Sequence, residues 1–184
     1  MFSATPFLVL IAGLIIIQRL FELRLARRNR AWALQAGAKE FGAGHYPLFF
    51  VLHTGWLIGW VIEAGWRGPH LSRLWIAWLL LFGLAQILRY WAIASLGRSW
   101  NTRILVIPGQ PLIRRGLYRY LAHPNYLAVA LELASVPLIF GAWLTALIAS
   151  FLNVGLLLGV RLPTEKAALQ LLEDRANAPG QPKK

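Results

Sequence analysis

The stretch PNYLAVALELASVPLIFGAWLTALIASFLNVGLLLGV, residues 124–160, carries a single charge, Glu132, and its one plausible break is the Gly141-Ala142 pair. Crossing a hydrocarbon core of about 30 Å takes roughly 20 mainly apolar residues per helix. The stretch therefore reads as two membrane helices, near 125–141 and 143–161, joined as a tight antiparallel hairpin slightly short of full span. Working outward toward the amino terminus, three further apolar runs place helices near 5–24, 46–64 and 73–96. The expected fold class is all-α: a polytopic membrane protein of about five transmembrane helices, the last two forming the hairpin. Composition agrees, since 58% of the 184 residues are hydrophobic against roughly 45–50% in soluble domains.

Nineteen Lys and Arg oppose seven Asp and Glu, a net charge of +12. Such an excess suits nucleic acid or an anionic membrane surface, and the apolar runs decide for the membrane. With no cysteine there is no disulfide, no thiolate metal site and no thiol nucleophile. The first apolar run, from Pro6 toward Leu25, lacks a basic leader and a small-residue cleavage site, and its cations follow it. It reads as a retained helix and not a secretory signal.

The cations also orient the chain. Six lie between residues 19 and 40, six between 89 and 122 and five from 161 onward, while Arg67 and Arg73 occupy the other connection. Alternation of five helices gathers the first three groups on one face, which the positive-inside rule assigns to the cytoplasm. The amino terminus is then outside and the carboxyl terminus inside. Trp56, Trp60, Trp66, Trp75 and Trp78 fall near helix ends, as interfacial belt residues do, with some serving as packing. Residues 1–176 read as one membrane-embedded domain and 177–184, rich in Pro, Gly, Gln and Lys, as a disordered tail. The longest polar connection, 97–122, lies on the cytoplasmic face, and long ordered loops tend to be functional.

That connection runs into Gly116-Leu117-Tyr118-Arg119-Tyr120-Leu121-Ala122-His123-Pro124-Asn125-Tyr126. Pro124 suits a first helical turn. The free N–H groups and positive dipole end there favour an anion beside His123 and Asn125; the plainer alternative is a capped helix start with His123 as an interfacial hydrogen bonder. A second polar cluster, Arg161-Leu162-Pro163-Thr164-Glu165, closes the last membrane helix. If the helix continues past a kink at Pro163, Arg161 and Glu165 share a face, as a surface ion pair or as two charges facing a zwitterionic ligand. The hairpin returns this cluster to the face of His123.

Glu132 lies within the membrane, where a carboxylate is a functional hypothesis by default. Arg89 and Gln86 are candidate partners, and a structural ion pair is the alternative. His45 and His53 are acceptor-side candidates or interfacial hydrogen bonders. Four scattered histidines without cysteines or clustered carboxylates make no metal site. Gly155 and Gly159 form a small-x3-small pattern that permits close approach of the fourth helix or a second subunit, hence a possible homodimer. Pro137 should kink the fourth helix, its freed carbonyl being satisfied by a neighbour.

The run Gly116, Tyr118, His123, Pro124 and Tyr126, followed after two membrane helices by Arg161, Glu165 and Leu169, resembles the isoprenylcysteine carboxyl methyltransferase family over roughly residues 97–172. Upstream, Arg19-Leu20-Phe21-Glu22-Leu23, Arg28-Asn29, Gly37-Ala38 and His45-Tyr46-Pro47 resemble its bacterial branch associated with type III polyketide synthases, whose members O-methylate long-chain alkylpyrones or alkylresorcinols. The resemblance implies S-adenosylmethionine as cofactor. By it, Gln110, Pro111, Leu112, Ile113, Tyr118, His123, Pro124, Asn125, Tyr126 and Glu165 surround that cofactor. Arg161 faces the acceptor and, with Glu165, is a candidate catalytic residue; Glu132 is a candidate acceptor-binding residue. Two positions depart from the family pattern. Ala122 stands where an Arg usually precedes His-Pro, and Lys166 where a second acidic residue often follows Glu165.

Methyl transfer from a sulfonium is an in-line displacement on an activated carbon, for which alignment and exclusion of water suffice. An enolic pyrone hydroxyl or a carboxylate arrives ionised, and Arg161 can orient it. The expected function is an S-adenosylmethionine-dependent O-methyltransferase acting on a lipid-like acceptor drawn from the bilayer. The alternatives are a carboxyl methyltransferase acting on a prenylated cysteine or other lipid acid, and a small transporter or assembly protein without catalysis. No inverted repeat supports a transporter.

Overall fold

The computed structural model describes residues 4–176; the tail at 177–184, expected to be disordered, lies outside the described residues. The elements are α1 (Thr5–Gln35), β1 (Lys39–Phe41), α2 (Tyr46–Trp66), α3 (Trp75–Leu96), β2 (Ile104–Val106), α4 (Pro124–Ile139), α5 (Trp143–Leu156) and α6 (Leu162–Ala176). A π-helical turn, Leu157–Arg161, joins α5 to α6 without a break.

The chain is an all-α polytopic membrane protein. Four helical segments, Thr5–Gln35, Ala43–Trp66, Trp75–Ser99 and Trp143–Leu171, are long and apolar enough to cross a membrane. The fifth apolar helix, α4, has 16 residues and reaches only about 24 Å at 1.5 Å per residue. The hairpin is present, turning on residues 140–142. Gly141 adopts φ +69°, and a Cβ there would stand 2.9 Å from His70 Nε2, so only glycine fits.

Two boundaries differ from expectation. Helix α1 runs to Gln35 instead of stopping near 24, because Arg, Ala and Leu are good helix formers and a helix leaving the apolar layer has no reason to end there. The last helix likewise continues past 161. The ring of Pro163 clashes with the carbonyl one α-turn back, and a widened turn just before a proline relieves such a clash.

Leu8, Ile11 and Ile15 of α1, Leu52, Trp56 and Trp60 of α2, and Leu133, Val136 and Ile139 of α4 form the core. Trp60 stacks on Phe140 with centroids 5.4 Å apart. Trp56 and Trp60 are thus packing residues, whereas Trp66 is 85% exposed. The Trp56 indole N–H donates to the Leu133 carbonyl at 3.0 Å. That is the carbonyl Pro137 cannot bond, so the neighbour expected to satisfy it is a tryptophan of α2. Outward-facing Val51, Leu80 and Phe151 are exposed by two-thirds or more, which suits contact with lipid.

Four charged side chains form a largely buried cluster linking α1, α3 and α4. Glu132, fully buried, takes hydrogen bonds from Arg19, Arg89 and Gln86. Arg89 also reaches Glu22 at 3.2 Å, and Arg19 reaches it at 2.6 Å. Two arginines balance two glutamates, the arrangement a low-dielectric interior tolerates. Arg89 and Gln86 are the partners anticipated for Glu132, and Arg19 and Glu22 complete the set. At α5, the Glu63 carboxylate accepts from the amides of Leu144 and Thr145 at 3.1 and 2.7 Å and caps the helix start from α2.

A two-stranded antiparallel ribbon, with Lys39 opposite Val106 and Phe41 opposite Ile104, had no signal in so short a pattern. Gly155 and Gly159 face open space. The inward face of α5 is instead Ala146, Ala149 and Asn153, so the glycines do not mediate the approach of α4.

Candidate active site

Pro124 opens α4, and the preceding His123 lies flat against Tyr126, centroids 5.0 Å apart and planes within 8°. This places the Tyr126 hydroxyl toward α6. It donates to Glu165 Oε2 at 2.6 Å and accepts from Arg161 Nε at 3.1 Å. His123 Nδ1 stands 4.0 Å from Glu165 Oε1. Arg161 and Glu165 do share a face, yet the contact between them is bridged by Tyr126 and is not a direct ion pair.

The π turn decides which residues face inward. The buried line Ala146, Ala149 and Asn153 would continue in α-helical steps through Val160 and Thr164. A wide turn inserts one residue and moves the line to Arg161, Glu165 and Ala168, of which Arg161 and Ala168 are buried. Arg161 is held from its other side by α2, its guanidinium carbon 5.9 Å from the Phe49 ring centroid. His45, edge-on to Phe49 at 6.2 Å, is near enough to Arg161 to feel its charge. Its ring covers Gly42, where φ is +64° and a Cβ would overlap it.

Tyr118 lies on the short turn Gly116–Arg119. Burial, reinforced by the charge of Glu165, pushes its phenol up to about 12. Asn125 Oδ1 is buried with no hydrogen-bond partner among the described residues, an acceptor poised for a ligand's N–H or O–H.

His123, Tyr126, Arg161 and Glu165 therefore come together, with Pro124 and Asn125 at the adjoining helix start and Tyr118 within electrostatic reach of Glu165. Gln110, Pro111, Leu112 and Ile113 do not join them. They line an open depression with Leu96, Arg98, Ser99, Arg114 and Arg115, and Gln110 Nε2 lies 3.5 Å from Ser99 Oγ. Glu132 sits apart inside the bundle, its carboxylate engaged by protein groups. Sequence reasoning missed Phe49; its spacing of one helical turn from His45 is the signal that could have found it. No group of three or more His, Cys, Asp or Glu able to hold a metal occurs among the described residues.

Residues 78–171 match the isoprenylcysteine carboxyl methyltransferase family. The chain belongs to that family, whose members are membrane methyltransferases dependent on S-adenosylmethionine. It is 39% identical over 161 residues to the uncharacterised protein YpbQ of Bacillus subtilis (strain 168), covering 88% of this chain and 95% of that one. It is 27% identical over 158 residues to an uncharacterised protein of Haemophilus influenzae, covering 84% and 90%. No solved structure matches.

Proposed function

We propose that the protein is an S-adenosylmethionine-dependent O-methyltransferase acting on a lipid-like acceptor, a long-chain alkylpyrone or related polyketide hydroxyl. The observation that carries this reading is the Arg161–Tyr126–Glu165 constellation, a buried cation and a carboxylate bridged by one phenol at the start of an apolar helix.

The residues suit the cofactor. It bears an ammonium, a carboxylate and an adenosine with N–H and O–H donors. Glu165 suits the ammonium, the unbonded N–H groups at the start of α4 with His123 suit the carboxylate, and the orphaned Asn125 Oδ1 suits a donor of the adenosine. When bound, the cofactor supplies a methyl group on a positively charged sulfur. Arg161 then holds the acceptor oxygen as its anion, and the Phe49 ring and neighbouring apolar helices exclude water from that oxygen. Tyr126 keeps Arg161 and Glu165 at a fixed spacing, so acceptor and cofactor charges are held without reorganisation. In this reading the site faces the cytoplasm, with the amino terminus outside.

A carboxyl methyltransferase reading is favoured by the family's own description and by the fit of a guanidinium to a carboxylate. Membranes of cells making the protein, incubated with methyl-labelled S-adenosylmethionine, separate the two. A base-stable labelled lipid supports the hydroxyl acceptor and a base-labile ester supports the carboxyl one. Titration with S-adenosylhomocysteine tests the common ground: a folded protein that fails to bind it is not a methyltransferase of this kind.

A further inference from the structure

Beside the Arg161 face of α2 lies a second concavity, a pocket of about 320 Å³. Leu23, Ala26, Arg27 and Arg30 of α1, Tyr46 and Phe50 of α2, and the segment 101–103 line it. Phe49 turns toward Arg161 while Phe50, the next residue round the helix, turns toward this pocket, so the two sites lie on adjoining faces of α2.

The pocket is basic and assembled. Arg30 makes two hydrogen bonds to Glu40 Oε2, at 2.8 and 3.1 Å, and Arg103 bonds the other oxygen. The Arg103 guanidinium also lies 4.1 Å from the Tyr46 ring centroid. Asn101 ties the floor to the Ala26 carbonyl at 3.0 Å. One carboxylate thus holds two guanidiniums in place without cancelling the three arginines, and Arg27 has no hydrogen bond or ion pair among the described residues. Pre-alignment lowers the ordering cost of binding. Several guanidiniums converging on one space suit a group with acceptor oxygens on every side, which a phosphate has and an enolate or a carboxylate lacks. Leu23 and the 56%-exposed Phe50 give the pocket an apolar edge facing outward between α1 and α2.

We propose that this pocket binds a phosphate group, and that its apolar edge suits a phosphate carried on acyl chains, the headgroup of an anionic lipid. It lies at the end of the bundle that bears most of the cations, where anionic headgroups gather around basic pockets between helices.

The test uses the full-length protein, stripped of lipid in detergent and titrated with phosphatidylglycerol, phosphatidylcholine or inorganic phosphate, with bound ligand read by native mass spectrometry. Tight binding of phosphatidylglycerol that weakens about fivefold in Arg27→Gln is expected, in line with the worth of one arginine beside anionic lipid. Arg98→Gln, in the other depression, should bind as wild type. Inorganic phosphate bound with the same dependence on Arg27, and phosphatidylglycerol no better than phosphatidylcholine, assigns the site to free phosphate. Equal retention of phosphatidylglycerol and phosphate by wild type and Arg27→Gln, with both proteins folded, overturns the proposal.

Discussion

The Tyr126 hydroxyl is one atom with two demanding neighbours, a carboxylate at 2.6 Å and a buried guanidinium at 3.1 Å. Hydrogen bonds to charged groups contribute roughly 1.5–3 kcal/mol each, so removing this oxygen unties both charges while leaving the ring. Tyr126→Phe should preserve the stack on His123, lower the Tm because a buried guanidinium and a carboxylate each lose a partner, and lower kcat/KM for methyl transfer about 10- to 100-fold, equivalent to about 1.4–2.8 kcal/mol. Wild-type activity in that variant would show that the phenol positions neither charge. His123, Arg161 and Glu165 were legible as candidates from residue type and spacing, and Tyr126 from the resemblance to the family. The bridge was not, because a phenol within an apolar helix start carries no sign of which way its hydroxyl points.

At the scale of elements, the site depends on a register shift. A regular α-helix through 157–161 would bury Val160 and turn Arg161 aside; the wide turn ahead of Pro163 presents Arg161 and Glu165 together. The same scale governs the buried ion cluster that joins α1, α3 and α4. Replacing one partner of a buried pair strands the others and costs about 3–5 kcal/mol. Glu132→Gln leaves Arg19 and Arg89 facing one another with only Glu22 in balance. A markedly lower Tm for the detergent-solubilised variant is expected, with Arg89→Gln in the same background recovering part of the loss by restoring neutrality. An unchanged Tm for Glu132→Gln would show that the cluster does not stabilise the bundle. Arg89 and Gln86 were readable as partners of Glu132 because they fall at similar depth on a neighbouring span. Arg19 lies 113 positions from Glu132, a separation over which pattern says nothing about contact.

For the whole molecule, the ribbon β1–β2 ties the segment after α1 to the segment after α3, and Glu40 is its electrostatic pin. Partial burial works to raise the Glu40 carboxyl, but hydrogen bonds and charge from Arg30 and Arg103 outweigh it and hold it below its ordinary 4.5. A carboxyl depressed on folding contributes stability at and above its unfolded value and loses it as pH falls through the lower folded one. Amide exchange in β1 and β2 should therefore accelerate as the wild type is acidified below about 4.5. In Glu40→Gln it should be fast already at neutral pH and insensitive across that window. Equal protection in the two proteins at neutral pH would sink the assignment.

The sequence by itself determined the class of the molecule: an all-α membrane protein, the hairpin at Gly141 and the residue types for handling a charged cofactor. Hydrophobic length and charge asymmetry are local, additive properties that need no knowledge of neighbours. It also pointed to Pro137 as a position needing outside help, since a missing N–H is a property of the residue. Only the tertiary structure decided that Trp56 supplies that help, that α5 continues through a π turn, that Gln110–Ile113 line a depression with Arg98 and Ser99, and that Arg27, Arg30 and Arg103 surround one space. Each depends on side-chain direction and on contacts between distant segments, which packing sets and local pattern does not encode.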